Sequence, residues 1–174
     1  PSANVTIDAT ASSDPDGDGL SYFWAQIAPP TPIAPIVATQ AVNTFGMPAT
    51  RGFEYVFGLT VNDGLEDGGA STRVRVNNLP AANAGPDRRA IPNTQVGLVG
   101  QGSSDLDGQP LGFLWTQLTG PVVAFPATTA NTTFTAPLPR GTILDFQLQV
   151  DDTLESLTDT VRVTVNQVPV AVAG

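Results

Sequence analysis

Short runs of alternating apolar and polar residues dominate this chain. In residues 143–150, Leu144, Phe146, Leu148 and Val150 alternate with Asp145, Gln147 and Gln149, the period of two of a strand with one buried face. Val161, Val163 and Val165 repeat the pattern against Arg162 and Thr164, and an earlier stretch carries it in Tyr55, Phe57, Leu59 and Val61, then Val74 and Val76. Val5 and Ile7, like Val96 and Leu98, supply a further strand, and Leu20, Tyr22 and Trp24 another. Breaks rich in Gly, Pro and Asp recur every ~8–12 residues, the spacing of a β-sandwich. No stretch sustains helical spacing, so the pattern predicts an all-β chain.

The pattern also repeats at long range. Residues 12–26, SSDPDGDGLSYFWAQ, match residues 103–117, SSDLDGQPLGFLWTQ, 91 positions apart. Pro48, Arg51 and Gly52 match Pro137, Arg140 and Gly141 at an offset of 89, as do RVRVNNLPAANAG (73–85) and RVTVNQVPVAVAG (162–174). The change of offset falls between Gln26 and Asn43, where APPTPIAPI stands in place of LTGPVV. The chain is therefore a tandem repeat of one small domain: residues 1–78, residues 79–167, and a remainder, residues 168–174.

Composition narrows the chemistry. The 174 residues include no Cys and no His, and all seven basic residues are Arg. That removes disulfide scaffolds, thiol nucleophiles, His-based triads and Cys or His zinc sites. A net charge of −9 argues against nucleic acid or an anionic membrane as partner. No apolar run approaches the ~18 residues of a membrane-crossing helix. Only three Glu are present (Glu54, Glu66, Glu155), none in a catalytic pattern, so no enzymatic role is expected. The chain opens on Pro1 without an initiator Met or a leader, as expected of a processed product or a segment of something longer.

The order A-N-A-G-P-D, then G-x-G-S-S-D-x-D-G, then L-x-W-T-Q-x-x-G-P, then F-x-L-x-V-D-D resembles the polycystic-kidney-disease (PKD) and receptor-for-egg-jelly type of immunoglobulin-like domain. The resemblance covers nearly all of residues 80–167. The first repeat departs from it, lacking the A-N-A-G-P-D opening and following its Trp-x-Gln with APPTPIAP. It implies an extracellular, non-catalytic sandwich of about seven strands, strung in arrays on surface proteins or used as a spacer in secreted hydrolases. It names no ligand.

Acidic loops are the main candidate sites. Asp14, Asp16 and Asp18 have the D-x-D-x-D-G spacing that opens an EF-hand loop, but the twelfth position, which needs a bidentate Glu, is Ala25. In an immunoglobulin-like sandwich this loop lies at the same end as the turn holding Asn62 and Asp63, and in the second repeat Asp105 and Asp107 lie near Asp151 and Asp152. Eight carboxylates, those of Asp14, Asp16, Asp18, Asp63, Asp105, Asp107, Asp151 and Asp152, are thus candidate calcium ligands, and the resemblance allows calcium there. The first loop is the better candidate, because Gln109 replaces the third aspartate in the second. Equally, Asp and Gly at these positions make turns through Asx-type hydrogen bonds. Trp24 and Trp115 are read as core anchors rather than sugar platforms. Asn4-Val5-Thr6 and Asn131-Thr132-Thr133 are glycosylation sequons; both asparagines should face solvent, Asn4 by parity and Asn131 in a turn. Residues 28–35 should form an extended surface loop, a candidate for O-glycosylation.

The ends complete the reading. Pro1 aligns with Pro92 and Gly174 with Gly85, so the first domain lacks the opening strand that residues 79–85 should give the second. The remainder, Val168, Pro169, Val170, Ala171, Val172, Ala173 and Gly174, is a spare copy of that strand. It could dock on the first domain of another copy, head to tail, and so propagate a filament. The same boundaries would also arise in a piece of a longer covalent array. The expectation is a structural subunit of an extracellular fibre or surface array, its partners being itself or neighbouring repeats. The rival is an accessory spacer or binding module of a secreted hydrolase or adhesin.

Overall fold

The computed structural model describes residues 4–30 and 37–172. The chain divides into two compact units, residues 1–77 and 78–174. Both are all-β, as the alternation requires. Unit 1 holds β1 (Asn4–Asp8), β2 (Ser21–Ala28), β3 (Val42–Gly46), β4 (Glu54–Asn62) and β5 (Asp67–Arg75). Unit 2 holds β6 (Arg88–Ala90), β7 (Gln95–Val99), β8 (Gly112–Thr119), β9 (Asn131–Thr135), β10 (Ile143–Asp151) and β11 (Ser156–Val165).

Each unit pairs two sheets. In unit 1, β1 pairs with β3 and β2-β4-β5 form the second sheet; in unit 2, β7 pairs with β9 and the order β6-β11-β10-β8 forms the second. The registers coincide between repeats: Val5 opposes Phe45 as Val96 opposes Phe134, and Trp24 opposes Leu59 as Trp115 opposes Leu148. The period-two residues supply the cores. Trp24, Tyr55, Phe57 and Leu59 are buried in unit 1, and Trp115, Leu144, Phe146, Leu148, Val150, Val161, Val163 and Val165 in unit 2. Each indole N–H donates to a backbone carbonyl, Trp24 to Ala41 at 3.3 Å and Trp115 to Ala130 at 3.4 Å, as a buried tryptophan needs.

Three details differ from the sequence expectation. Asn131 is not in a turn but opens β9 opposite Val99, with its side chain exposed. Strands β3 and β9 escape a hydropathy pattern because their inward positions alternate a polar residue with a Phe: Asn43 and Phe45, Thr132 and Phe134. The opening strand of unit 2 also lies later than residues 79–85. That segment makes one antiparallel bridge, Ala81 to Ser104, and the continuous ladder is β6, parallel to β11 at Val163–Val165. Pro80 and Pro86 lack the N–H that a continuous strand would need on either side of the bridge.

The two units differ at this edge. Val163 and Val165, beside β6 in the same sheet, are fully buried, whereas their counterparts Val74 and Val76 are only half-buried. Among the described residues, β5 has β4 as its one neighbour.

Candidate functional site

The acidic loops and the turns that accompany them lie at one end of each unit. Pairing of Ser21 with Asn62, and of Gly112 with Asp151, brings the end of each loop beside the β4–β5 or β10–β11 turn. Within the first loop, Asp14 Oδ1 accepts from the backbone N–H of Asp16 at 2.8 Å and of Asp18 at 3.2 Å. In the second, Asp105 Oδ1 accepts from Asp107 at 2.8 Å and Gln109 at 3.2 Å. The loops are thus the same Asx-type turn, closed by Gly17 at φ 88° and Gly108 at φ 75°, a conformation that side chains with a Cβ resist.

The turn aspartates cap backbone too. Asp63 Oδ1 accepts from Leu65 at 2.7 Å and Glu66 at 2.8 Å, and Asp152 Oδ1 from Leu154 at 2.9 Å and Glu155 at 2.7 Å. The Glu66 and Leu65 N–H bonds hold the Asp63 carboxyl below the usual carboxylate range. Asp151 Oδ1 accepts from Thr153 at 2.8 Å. Asp63 is half-buried on its turn, while Asp152 is fully buried.

Among the described residues, no three acidic side chains gather so as to hold a metal ion. The first loop offers Asp16 and Asp18 to solvent and spends Asp14 Oδ1 on backbone. The second differs: Asp105 Oδ2 and Gln109 Oε1 are buried oxygens with no hydrogen-bond partner. Such orphaned acceptors suit a cation or a bridging water. Of the two loops, the one with Gln109 therefore carries the unpartnered buried oxygens, and Gln109 itself was not among the sequence candidates.

What the second loop does hold is the chain that enters it. Asp107 accepts from Asn78 twice, from the backbone N–H at 2.6 Å and from the side-chain amide at 3.0 Å. Ala81 and Ser104 exchange both backbone bonds, at 2.7 and 3.0 Å. Ser103 Oγ accepts from the N–H of Asn83 at 3.0 Å, and Asp159 from that of Ala84 at 2.8 Å. Pro80 and Ala84 are buried behind these bonds. Sequence reasoning read Asp107 as a metal ligand and gave Ser103, Ser104 and Asp159 no role; the repeated S-S-D was the available signal.

The described part of the assembly segment, residues 168–172, pairs with no strand. Val168, Val170 and Val172 are exposed at 64%, 87% and 87%, and residues 166–172 form no strand. Ala173 and Gly174 lie outside the described residues, as do residues 31–36 of the proline-rich segment. Asn4 is exposed on β1, with Val5 half-buried beside it. Asn131 exchanges hydrogen bonds with Gln101, its amide donating to Oε1 at 2.9 Å and its Oδ1 accepting from the backbone at 3.3 Å.

This architecture is shared with known proteins. The family model of the K319L-like PKD domain matches residues 84–165. The second unit is a PKD-type domain. Unit 1 repeats its strand registers, so the chain is a tandem of immunoglobulin-like sandwiches of this type. Titin domains I67–I69 superimpose with a TM-score of 0.55 at 13% identity, covering 94% of this chain and 60% of that one, a likeness of fold. The PKD domain of the KIAA 1837 protein is 28% identical over 52% of this chain and 91% of its own, with a TM-score of 0.43. A nucleoside hydrolase-related protein of Saccharophagus degradans associated with carbohydrate metabolism is 20% identical over 52% of this chain, with a TM-score of 0.48. The match spans about a quarter (26%) of that protein's length. No curated protein matches the chain.

Proposed function

We propose that the chain is a non-catalytic structural module of an extracellular fibre or surface array, in which repeats follow one another head to tail through the C-terminal segment or by covalent continuity. One observation carries this reading: unit 2 is completed by the chain that enters it. Residues 78–90 supply a clamp on Asp107, a bridge to Ser104, a buried Ala84 and the edge strand β6. A domain closed by its incoming segment is the natural repeat of a string, because each joint is also part of a fold. The PKD-type fold of unit 2 supports the extracellular placement.

Negative-stain electron microscopy of the chain, beside a version lacking residues 168–174, tests the proposal. Threads from the intact chain alone support joining through the C-terminal segment. Single slender rods from both support covalent continuity. Compact closed oligomers from both overturn the array.

The same reading assigns calcium to the second acidic loop, on the support of the orphaned Asp105 and Gln109 oxygens. Calcium should raise the melting temperature of unit 2, and Asp105→Ala should abolish the increment. A melting curve indifferent to calcium and to chelator overturns this assignment and leaves the array untouched.

A further inference from the structure

The outer face of the β2-β4-β5 sheet is apolar at its centre in unit 1. Alternation turns Trp24, Phe57 and Leu59 inward and leaves Phe23, Ala25 and Ile27 outward, beside Val56 and Gly58. Phe23 is 55% and Ile27 61% exposed, and exposed apolar residues that adjoin one another mark contact surfaces. At the matching positions unit 2 has Leu114, Thr116 and Leu118, beside Asp145 and Gln147. The ion pair has moved as well. In unit 2 the Arg162 guanidinium holds Asp145 at 2.7 Å. In unit 1 Val56 stands in place of Asp145 and Glu54 in place of Ile143. The acid thus lies nearer the strand end, where it holds Arg73 at 3.2 Å and Arg75 at 3.3 Å. Unit 2 keeps Leu114 and Leu118 exposed although its incoming segment is in place, so a segment entering at that edge does not cover this face.

The registers give this face a two-fold pattern. Ala25 opposes Gly58 and Gly58 opposes Ser71, a row of small residues across the sheet. Ile27 lies flat along that row, because a Cβ on Gly58 would come within 2.7 Å of its Cδ1. Phe23 and Ile27 stand on opposite sides of the row on β2, as Thr60 and Val56 do on β4, and Asp67 and Arg75 on β5. A half-turn about an axis along the row would set Phe23 of one copy on Ile27 of another, Val56 on Thr60 and Arg75 on Asp67. Each pair then occurs twice, as in any isologous contact. Arg73 would fall on Gly69, where, among the described residues, no atom lies within 4 Å of the position a Cβ would take. Opposite charges meet at both rims, apolar side chains meet between them, and the small row lets two sheets approach to the ~10 Å of packed sheets. In unit 2 the row is Thr116, Gln147 and Thr160 and the rim pair is Ser156 and Thr164, which offers neither feature.

We infer that this face of unit 1 is a contact with the same face of a second copy of the chain, closed by a two-fold axis along Ala25, Gly58 and Ser71. Being isologous, it joins two chains and does not propagate. The inference goes beyond the head-to-tail reading and does not depend on it; in an array, the same contact would tie neighbouring strings together. Three strands of eight or nine residues, spaced ~4.8 Å apart, present roughly 400 Å². That is half of the ~800 Å² per partner of a standard interface, so one contact is weak and repetition along a string strengthens it.

Sedimentation equilibrium of the full chain tests the inference, at concentrations up to about 1 mM, where an interface of this size should associate. Reversible pairing is expected. Ala25→Arg sets two like charges against each other on the axis and should raise the dissociation constant more than ~tenfold. Thr116→Arg, at the matching position of unit 2, should leave it unchanged. The Ala25→Arg comparison also separates this contact from end-to-end joining, which the substitution does not touch. Arg75→Asp alone, or Asp67→Arg alone, should weaken pairing severalfold, since each sets like charges together at both rims. Mixing these two variants should restore pairing as a heterodimer, because each then supplies the charge that the other lacks, and a folding defect could not produce that rescue. A chain that stays monomeric at about 1 mM, pairing indifferent to Ala25→Arg, or a mixture that pairs no better than its separate components overturns the inference.

Discussion

At the scale of single residues, aspartate caps backbone N–H groups and pairs with arginine, and burial sets what each is worth. Asp63 and Asp152 occupy the same turn position and cap the same two N–H groups, yet Asp152 is fully buried. Asp152→Ala removes the buried acceptor of those two N–H groups and should cost about 2 kcal/mol; chemical denaturation with Asp152→Asn alongside would separate the lost acceptor from the lost volume. The half-buried carboxylates act through pH. Asp63 is held below its ordinary range by the Glu66 and Leu65 N–H groups, and Asp145 by the Arg162 guanidinium, which donates at 2.7 Å. A depressed folded pKa contributes stability that is present above the unfolded value, about 3.9, and is lost as pH falls through the folded one. The difference in melting temperature between the parent and Asp63→Asn or Asp145→Asn should therefore be constant near neutrality and shrink below about pH 4. A difference that grows on acidification would contradict this assignment.

At the scale of elements, the two units share registers and differ in how their edges are covered. Val163 pairs with β6 in its sheet and is fully buried, whereas Val74 is half-buried. Val163→Ala should cost about 2 kcal/mol in transfer and cavity terms, and Val74→Ala about half as much because less surface leaves the interior. Scanning calorimetry should resolve two transitions, unit 1 the lower, with Phe57→Ala moving the first and Phe146→Ala the second. Most of the strands behind this were legible in the chain: an inward row such as Leu144, Phe146, Leu148 and Val150 marks a strand and its buried face together. The strands that were not, β3 and β9, place Asn43 and Thr132 inward, which breaks the alternation. The docking site was half legible. The repeated S-S-D-x-D-G marks a loop that does chemistry, but spacing alone reads its carboxylates as cation ligands. Only the fold shows Asp107 turned to Asn78, because that bond joins residues 29 positions apart in sequence. The orphaned oxygen of Gln109 was hidden for another reason: an amide carries no charge and attracts no notice in an acidic run.

At the scale of the molecule, the topology of each unit determines how it meets tension. Strand β6 comes first in unit 2 and pairs with β11, the last strand, in parallel. Force applied through the incoming segment pulls β6 toward its own start, and force through the outgoing segment pulls β11 toward its end. For parallel neighbours these pulls are opposed along the strand axis, so the bonds between Arg88–Ala90 and Val163–Val165 are loaded together in shear. The donation from Asn166 N–H to the Ala90 carbonyl at 2.7 Å and the Arg162 N–H bond to Asp87 at 2.9 Å extend that patch at both ends. Unit 1 has no such pair among the described residues: its first strand β1 pairs with β3, and β5 with β4. Single-molecule extension should therefore give two unfolding events per chain, the weaker from unit 1. The stronger, from unit 2, should release roughly 300 Å of contour at the ~3.4 Å per residue of an extended chain. Ala90→Pro removes a backbone donor that faces β11 within the parallel ladder and should lower only the second force, leaving the first event and the order of the two domains in sequence unchanged. Equal forces in the two events, or a second force insensitive to Ala90→Pro, would mean that tension is resisted by the cores and not by the edge that the incoming segment completes.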